Sequence, residues 1–128
     1  MSTIFSKIVS GEIPAHKIAE NKSFLAFLDV NPLAEGHTLV IPKVETDYLF
    51  NIQGKDYTNL WNFAQEVAMK IESRIDCKRI GVAVIGLEVA HAHIHLIPIN
   101  SVSDMNFAKP KLNLTQDQLK VIAERINA

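Results

Sequence analysis

Three histidines fall within five residues of this 128-residue chain, in the run His91-Ala92-His93-Ile94-His95-Leu96-Ile97-Pro98. Apolar residues alternate strictly with histidine. Side chains alternate between the faces of a β-strand, so the spacing predicts a strand over residues 90–97. Its three imidazoles share one face, and Ala92, Ile94 and Leu96 point to a core. Imidazole titrates near about pH 6.5, which makes both protonation states accessible in the cell. A neutral ring nitrogen can attack phosphorus, and a neighbouring ring can stabilise phosphate oxygens or protonate a leaving group. Two other uses of the row stand beside this one. A metal ion would need further ligands, because a straight strand spaces successive histidines about 6.5 Å apart and the outer pair about 13 Å. Cys77 and His37 are the candidates for those ligands. Alternatively, the three rings are satisfied polar groups of a half-buried face.

The row needs a scaffold, and the rest of the chain supplies one. Ile4, Phe5, Ile8 and Val9 have helical spacing, so residues 3–10 read as a short helix ending at Gly11. Residues 17–29 read as two strands around a turn at Glu20-Asn21-Lys22, the second nearly all apolar and so covered on both faces. A strand over 36–41 follows the Asn31-Pro32 break. Leu60, Ala64, Val67, Ala68, Ile71 and Ile75 share one face of a helix over 55–75. Residues 79–85 form another strand. A last helix over 115–127 starts at a capping box, Thr115 with Gln118, and a hydrophobic staple, Leu114 with Leu119. Short links between strands imply antiparallel pairing. The class is α+β: a five-stranded antiparallel sheet with a long helix and a C-terminal helix, in one domain spanning 1–128.

Composition narrows the function. Thirteen Lys and Arg against fourteen Asp and Glu give a net charge of −1, which argues against a nucleic-acid binder. No apolar run approaches the roughly 20 residues that cross a bilayer, and no secretory signal opens the chain. Cys77 is the single cysteine, so no internal disulfide is possible, and a reduced cytoplasmic setting is expected. The strand over 79–85 carries Ile80, Val82 and Val84 on one face and Gly81, Ala83 and Ile85 on the other. An apolar strand with a free edge invites pairing with a second copy, so a homodimer is expected.

The histidine run resembles the motif of the histidine triad (HIT) family, in which three histidines alternate with apolar residues. The likeness extends through Ile4-Phe5-Ser6-Lys7-Ile8-Val9, Gly11-Glu12-Ile13-Pro14, Ala26-Phe27-Leu28-Asp29-Val30-Asn31-Pro32 and Gly36-His37-Thr38-Leu39-Val40-Ile41-Pro42-Lys43. It covers roughly residues 3–98. The resemblance implies a homodimeric nucleotide hydrolase or transferase acting on a nucleoside phosphoramidate or dinucleoside polyphosphate, with purine nucleotides favoured. By position, His93 resembles the nucleophile, His95 the histidine at the phosphate and leaving group, and His91 the one that orients the nucleophile. His37 resembles a fourth histidine beside them. Asp29 resembles the carboxylate that binds the ribose hydroxyls. Phe5, Ile13, Phe27 and Val30 resemble the slot around the base, and Glu88 and Val89 lie in the loop that meets the nucleotide. Alternatives are a nucleotide-binding module without turnover and a metal-dependent hydrolase.

The chain also departs from that pattern. Thr3 and Ser6 stand where many bacterial members carry zinc-binding cysteines, so no structural zinc and no required cofactor is expected. Glu88 replaces a phosphate-binding serine, and Val84 an asparagine, which puts efficient phosphoramidate hydrolysis in question. By strand parity Glu88 should face away from the histidines. His16 reads as a solvated side chain.

Overall fold

The computed structural model describes residues 2–128; Met1, the first residue of the expected domain, lies outside the described residues. Three α-helices surround one antiparallel sheet: α1 (Ile4–Ser10), α2 (Gly54–Glu72) and α3 (Gln116–Asn127). The strands are β1 (Lys17–Glu20), β2 (Phe24–Leu28), β3 (Thr38–Pro42), β4 (Arg79–Ala83) and β5 (Ile94–Ile99), in the order β1-β2-β3-β5-β4. All four pairings are antiparallel. The α+β class and the five-stranded sheet agree with the sequence pattern. Two 3-10 turns, Leu49–Asn51 and Val102–Met105, have no counterpart in it.

Strand alternation sorts the central strands between two apolar layers. Phe24, Ala26 and Leu28 of β2, Val40 of β3, and Ile94 and Leu96 of β5 face α2 and α3. Leu25, Phe27, Leu39 and Ile41 face the other way and pack with Phe5 and Ile8 of α1. Every residue of β2 and β3 is buried, as expected for strands covered on both sides. Thr3 caps α1 by accepting the Ser6 N–H, and Gly11 ends it with φ 86°. The capping box of α3 forms between Thr115 and Gln118, while Leu114 packs on the core beside Leu119.

Three boundaries move. Helix α2 stops at Glu72, short of Ile75, which is buried just beyond the helix. Strand β4 ends at Ala83, so Val84 and Ile85 leave the sheet. The histidine strand starts at Ile94, not at residue 90. Pairing runs out at Val40 opposite Ile94 and Ala83 opposite His95. Upstream of that point the backbone finds other partners: the Ala92 N–H donates to the Thr46 carbonyl at 2.6 Å. Only His95 of the three histidines lies in regular strand.

Candidate active site

The alternation of side chains survives the end of the strand, and all three imidazoles lie on the α1 side of the sheet. Ala92, Ile94 and Leu96 point into the core under α2, while His93 and His95 turn to the opposite side with ring centroids 5.0 Å apart. The His91 ring is fully buried on that same side, edge-on to Phe5 at 5.9 Å. Its Nε2 donates to the Pro42 carbonyl at 2.8 Å, which leaves Nδ1 to accept from the Thr3 hydroxyl at 3.0 Å. Ser6 and Glu45 extend this cluster. The Ser6 hydroxyl donates to Glu45 Oε1 at 2.5 Å, and the Thr3 N–H donates to the same oxygen at 3.1 Å. The hydrogen bond from the Ser6 hydroxyl holds the Glu45 carboxyl below its usual range, and burial lowers the His91 imidazole. The His91 side chain therefore ties α1 to the end of β3. What reaches His93 is the backbone carbonyl of His91.

Partners fix the protons on the remaining rings, because some groups can only donate or only accept. The His93 Nδ1 lies 2.7 Å from the His91 carbonyl oxygen. A carbonyl only accepts, so Nδ1 carries the proton and Nε2 keeps its lone pair. The Leu33 backbone N–H lies 3.0 Å from His37 Nδ1. A backbone N–H only donates, so His37 Nδ1 is bare and its Nε2 carries the proton. That proton is donated to His95 Nδ1 at 2.9 Å, and His95 is left with a proton on Nε2. Burial first, and then the neighbouring histidine, push His37 down to about 3 and His95 to about 4. Both rings are neutral at pH 7. Gly36 places His37 at the start of β3: at φ 93° it passes between Ile75 and Pro98, where a Cβ would meet carbon at 3.2 Å on each side.

The rings open on a cleft with two ends. The apolar end is lined by Phe5, Ile13, Phe27, Val30 and Val89, with Ile4, Ile8 and Leu39. The polar end is lined by His37, residues 85–87, Phe107 and Lys111. Asp29, Asn31, Glu88, His93 and His95 border both. Asp29 Oδ1 accepts the Asn31 N–H at 2.8 Å, and Oδ2 lies 3.6 Å from His37 Nε2. Burial pushes the Asp29 carboxyl up, against the pull of that N–H. Phe5 stands edge-on to His93 at 5.0 Å and to Phe27 at 5.5 Å.

Of the eleven residues given catalytic or nucleotide-binding roles from sequence, ten border the cleft, and His91 alone does not. Glu88 borders it contrary to its strand parity. Residues 87–90 are bends, not strand, so a two-residue period does not apply to them. Asn31, Phe107, Lys111 and the Thr3-Ser6-Glu45 cluster have no sequence signal of their own. His16 is not simply solvated, since its Nε2 meets Gln116 Oε1 at 2.8 Å, beside the start of α3.

Among the described residues, one group of atoms is compact enough for an ion: those of Asp29, His37 and His95 lie within 4.8 Å of one another. The Leu33 N–H puts a proton on His37 Nε2, between the other two, where a metal needs a lone pair. This cluster is therefore built as a hydrogen-bond chain. No helix among the described residues is long and apolar enough to cross a membrane.

A small α+β domain that aligns a lone pair and an N–H on adjacent imidazoles, beside an apolar slot ending in a carboxylate, has the layout of a nucleotide-processing site. Comparison with known proteins identifies the class. A sequence model of the HIT domain matches residues 10–102. An uncharacterised HIT-like protein of Borreliella burgdorferi is 35% identical over 97% of this chain and 95% of its own. The adenosine 5′-monophosphoramidase of Schizosaccharomyces pombe is 30% identical over 100% of this chain and 98% of its own. A HIT-like protein of Bartonella henselae, solved with an unknown ligand, superposes with a TM-score of 0.85 at 26% identity, covering 98% of this chain and 94% of its own. The chain belongs to the histidine triad family.

Proposed function

We propose that the protein is a nucleotide hydrolase or transferase acting at the α-phosphate of a nucleotide conjugate, with His93 as nucleophile. The observation that carries this reading is the pair of opposed tautomers: a lone pair on His93 Nε2 beside an N–H on His95 Nε2, at the border of an apolar slot. A purine base fits between Phe5, Ile13, Phe27 and Val30, and the ribose hydroxyls donate to Asp29. Nε2 of His93 then forms a bond to phosphorus, and the bond to the leaving group breaks, the leaving group keeping the electron pair. An amine takes up a proton from solvent water as it leaves, while an anion needs none. The charge on the nucleotidyl imidazolium is offset by the His91 carbonyl at Nδ1, and the phosphoryl oxygens take the His95 N–H. Water next bonds to phosphorus and gives up a proton to solvent, the P–N bond breaks and the electron pair returns to Nε2.

The relatives named as adenosine 5′-monophosphoramidases support this reaction type. The cycle uses imidazoles and backbone groups throughout, so it requires no cofactor, and hydroxyls at Thr3 and Ser6 hold α1 without zinc. Incubation with adenosine phosphoramidate or a dinucleoside polyphosphate, quenched without acid, should give a nucleotidyl adduct on His93 by mass spectrometry. Turnover that survives in His93→Ala would remove the reading.

The active form is a cytoplasmic homodimer paired through β4. The other edge is occupied: the Lys17 and Ile18 carbonyls of β1 accept from Asn127 and Lys70. Strand β4 has a neighbour on one side only, and Val82 and Ile85 beside that edge are exposed. Sedimentation at micromolar concentration should give twice the chain mass, and a monomer would contradict it.

A further inference from the structure

A strap over residues 101–112 crosses the histidine side of the sheet. On β4, Gly81 and Ala83 share one face, and Ala83 pairs with His95, so both lie on that side. Asp104 fixes the start of the strap: its Oδ2 accepts the Asn100 and Ser101 N–H groups at 2.7 and 3.0 Å. Met105 is pressed onto Gly81, where a Cβ would meet the sulfur at 2.6 Å. Two residues on, the Phe107 ring stands edge-on to His95 at 4.9 Å and to His37 at 6.3 Å. Lys111 Nζ donates to the Phe107 carbonyl, and the Leu112 N–H donates to the Pro32 carbonyl at 2.8 Å. Phe107 is thus fastened on both sides, to β4 through Met105 and to the turn after Asp29 through Leu112.

From this placement we infer that Phe107 is a positioning residue, whose ring shuts water away from the His37–His95 pair and holds His95 with its Nε2–H toward the cleft. The inference rests on the reading of His95 as donor to the phosphoryl oxygens and adds the residue that keeps it in place. A histidine ring turns easily about its last torsion, which is broad and roughly two-fold. A half-turn would carry Nδ1 away from His37 and break the bond that leaves the proton on Nε2. Three rings stand around His95: His93 at 5.0 Å, His37 at 5.2 Å and Phe107 at 4.9 Å. Phe107 alone of these is apolar, so it blocks the turn without offering Nδ1 another partner. The titratable groups around this end of the cleft are His37, His93, Asp29, Glu88 and Lys111. All of them stay when the Phe107 ring is removed, so what changes is access of water, which hydrates an imidazolium and competes for Nδ1. Burial is the first cause that keeps His95 neutral down to about 4, and Phe107 covers one side of it.

The test compares Phe107→Ala with Phe107→Leu, which keeps apolar bulk over the ring, in the full chain without ligand. Nitrogen-15 shifts of His95 are followed between about pH 4 and pH 8. In Phe107→Ala the titration of His95 should move up by at least about one unit, and its neutral form should become a mixture of tautomers. Phe107→Leu should recover most of both. With adenosine 5′-phosphoramidate, kcat should fall about tenfold in Phe107→Ala, part of the worth of an aimed donor, while KM stays within about twofold because the base slot lies at the other end. His95 shifts that match the wild type, or a changed KM with kcat unchanged, would overturn the inference. Gly81→Val reaches the same ring from outside the cleft, and serves if Phe107→Ala does not fold. By displacing Met105 it should give the same change at His95, and Met105→Ala in that chain should reverse it. A folded Gly81→Val protein with wild-type His95 shifts would also overturn the inference. The shifts do not depend on turnover, so this reading and the catalytic one fail separately. A wild type that hydrolyses nothing, with His95 still altered in Phe107→Ala, sinks the mechanism and leaves the hold on His95 standing.

Discussion

His93 and His95 stand two residues apart with their rings in contact, yet their protons lie on opposite nitrogens. Each Nδ1 decides the matter. A backbone carbonyl takes the proton of His93 Nδ1 and exposes a lone pair at Nε2. The imidazole of His37 gives a proton to His95 Nδ1 and exposes an N–H. One strand pattern thus yields a nucleophile and a donor, and the difference comes from the neighbours. The same contrast separates the two ends of the cleft. The slot at Phe5 and Phe27 is built by α1, β2 and β3, whereas the far end is built by an irregular segment without a period.

The largest effect should follow loss of the lone pair. His93→Ala should lower kcat by at least about 10⁴-fold with the fold intact, since nothing else in the cleft presents a free imidazole nitrogen to phosphorus. Residual turnover within tenfold of wild type would break the contrast outright. Next comes the control of His95. His37→Phe removes the donor at its Nδ1 and lets the ring choose either tautomer, which should cost about 10²-fold in kcat, comparable to losing one aimed donor. Nitrogen-15 shifts of His95 should change from a fixed Nε2–H form to a mixture. A spectrum that keeps the fixed form would show that His37 does not set it.

Acid should expose the same pair through stability. His37 and His95 titrate in the unfolded chain near 6.5 but in the folded protein only at about 3 and about 4. Between these values the unfolded state binds more protons. Stability is therefore full above about pH 6.5 and falls as pH drops toward 4. Asp29, pushed up, acts in the opposite sense above its unfolded value of 3.8 and offsets part of this loss. The midpoint of thermal unfolding should fall by at least about 5 °C from pH 7 to pH 5, where roughly 3–6 °C corresponds to 1 kcal/mol in a domain of this size. A flat profile in His37→Phe with His95→Phe, against a falling one in the parent, would assign the slope to these rings.

The legible parts of the chain were those with a period. Alternation in β2 and β5, the apolar stripe of α2 and the capping box of α3 each state a local structure in a few residues, and together they imply the sheet. The identities of ten cleft residues follow from the family motif, but their geometry does not. His91 shows why. Alternation places its ring on the α1 side with the others, but does not show the bonds to Thr3 and Pro42 that hold both its nitrogens outside the cleft. Glu88 departs from strand parity because residues 87–90 are bends. Phe107 and Lys111 reach the cleft through a loop whose path is set by a bond to Pro32, and no spacing in 106–112 announces it.

The smallest effect tests whether His91 acts through its ring or its carbonyl. Thr3 donates to His91 Nδ1 and also caps α1 by accepting the Ser6 N–H. Thr3→Val keeps the shape and loses both bonds; Thr3→Ser keeps both. Loss of the cap costs about 1 kcal/mol and leaves a fully buried imidazole nitrogen without its donor, so Thr3→Val should unfold several degrees lower than Thr3→Ser. The carbonyl that holds His93 Nδ1 stays in place in either variant, because the Pro42 carbonyl still anchors the ring at Nε2. Turnover by Thr3→Val should therefore remain within about threefold of wild type while stability drops, the pattern of a structural tie distant from the reacting atoms. A fall of about 10²-fold, the size set for His37→Phe, would place the His91 ring in the catalytic chain alongside His37.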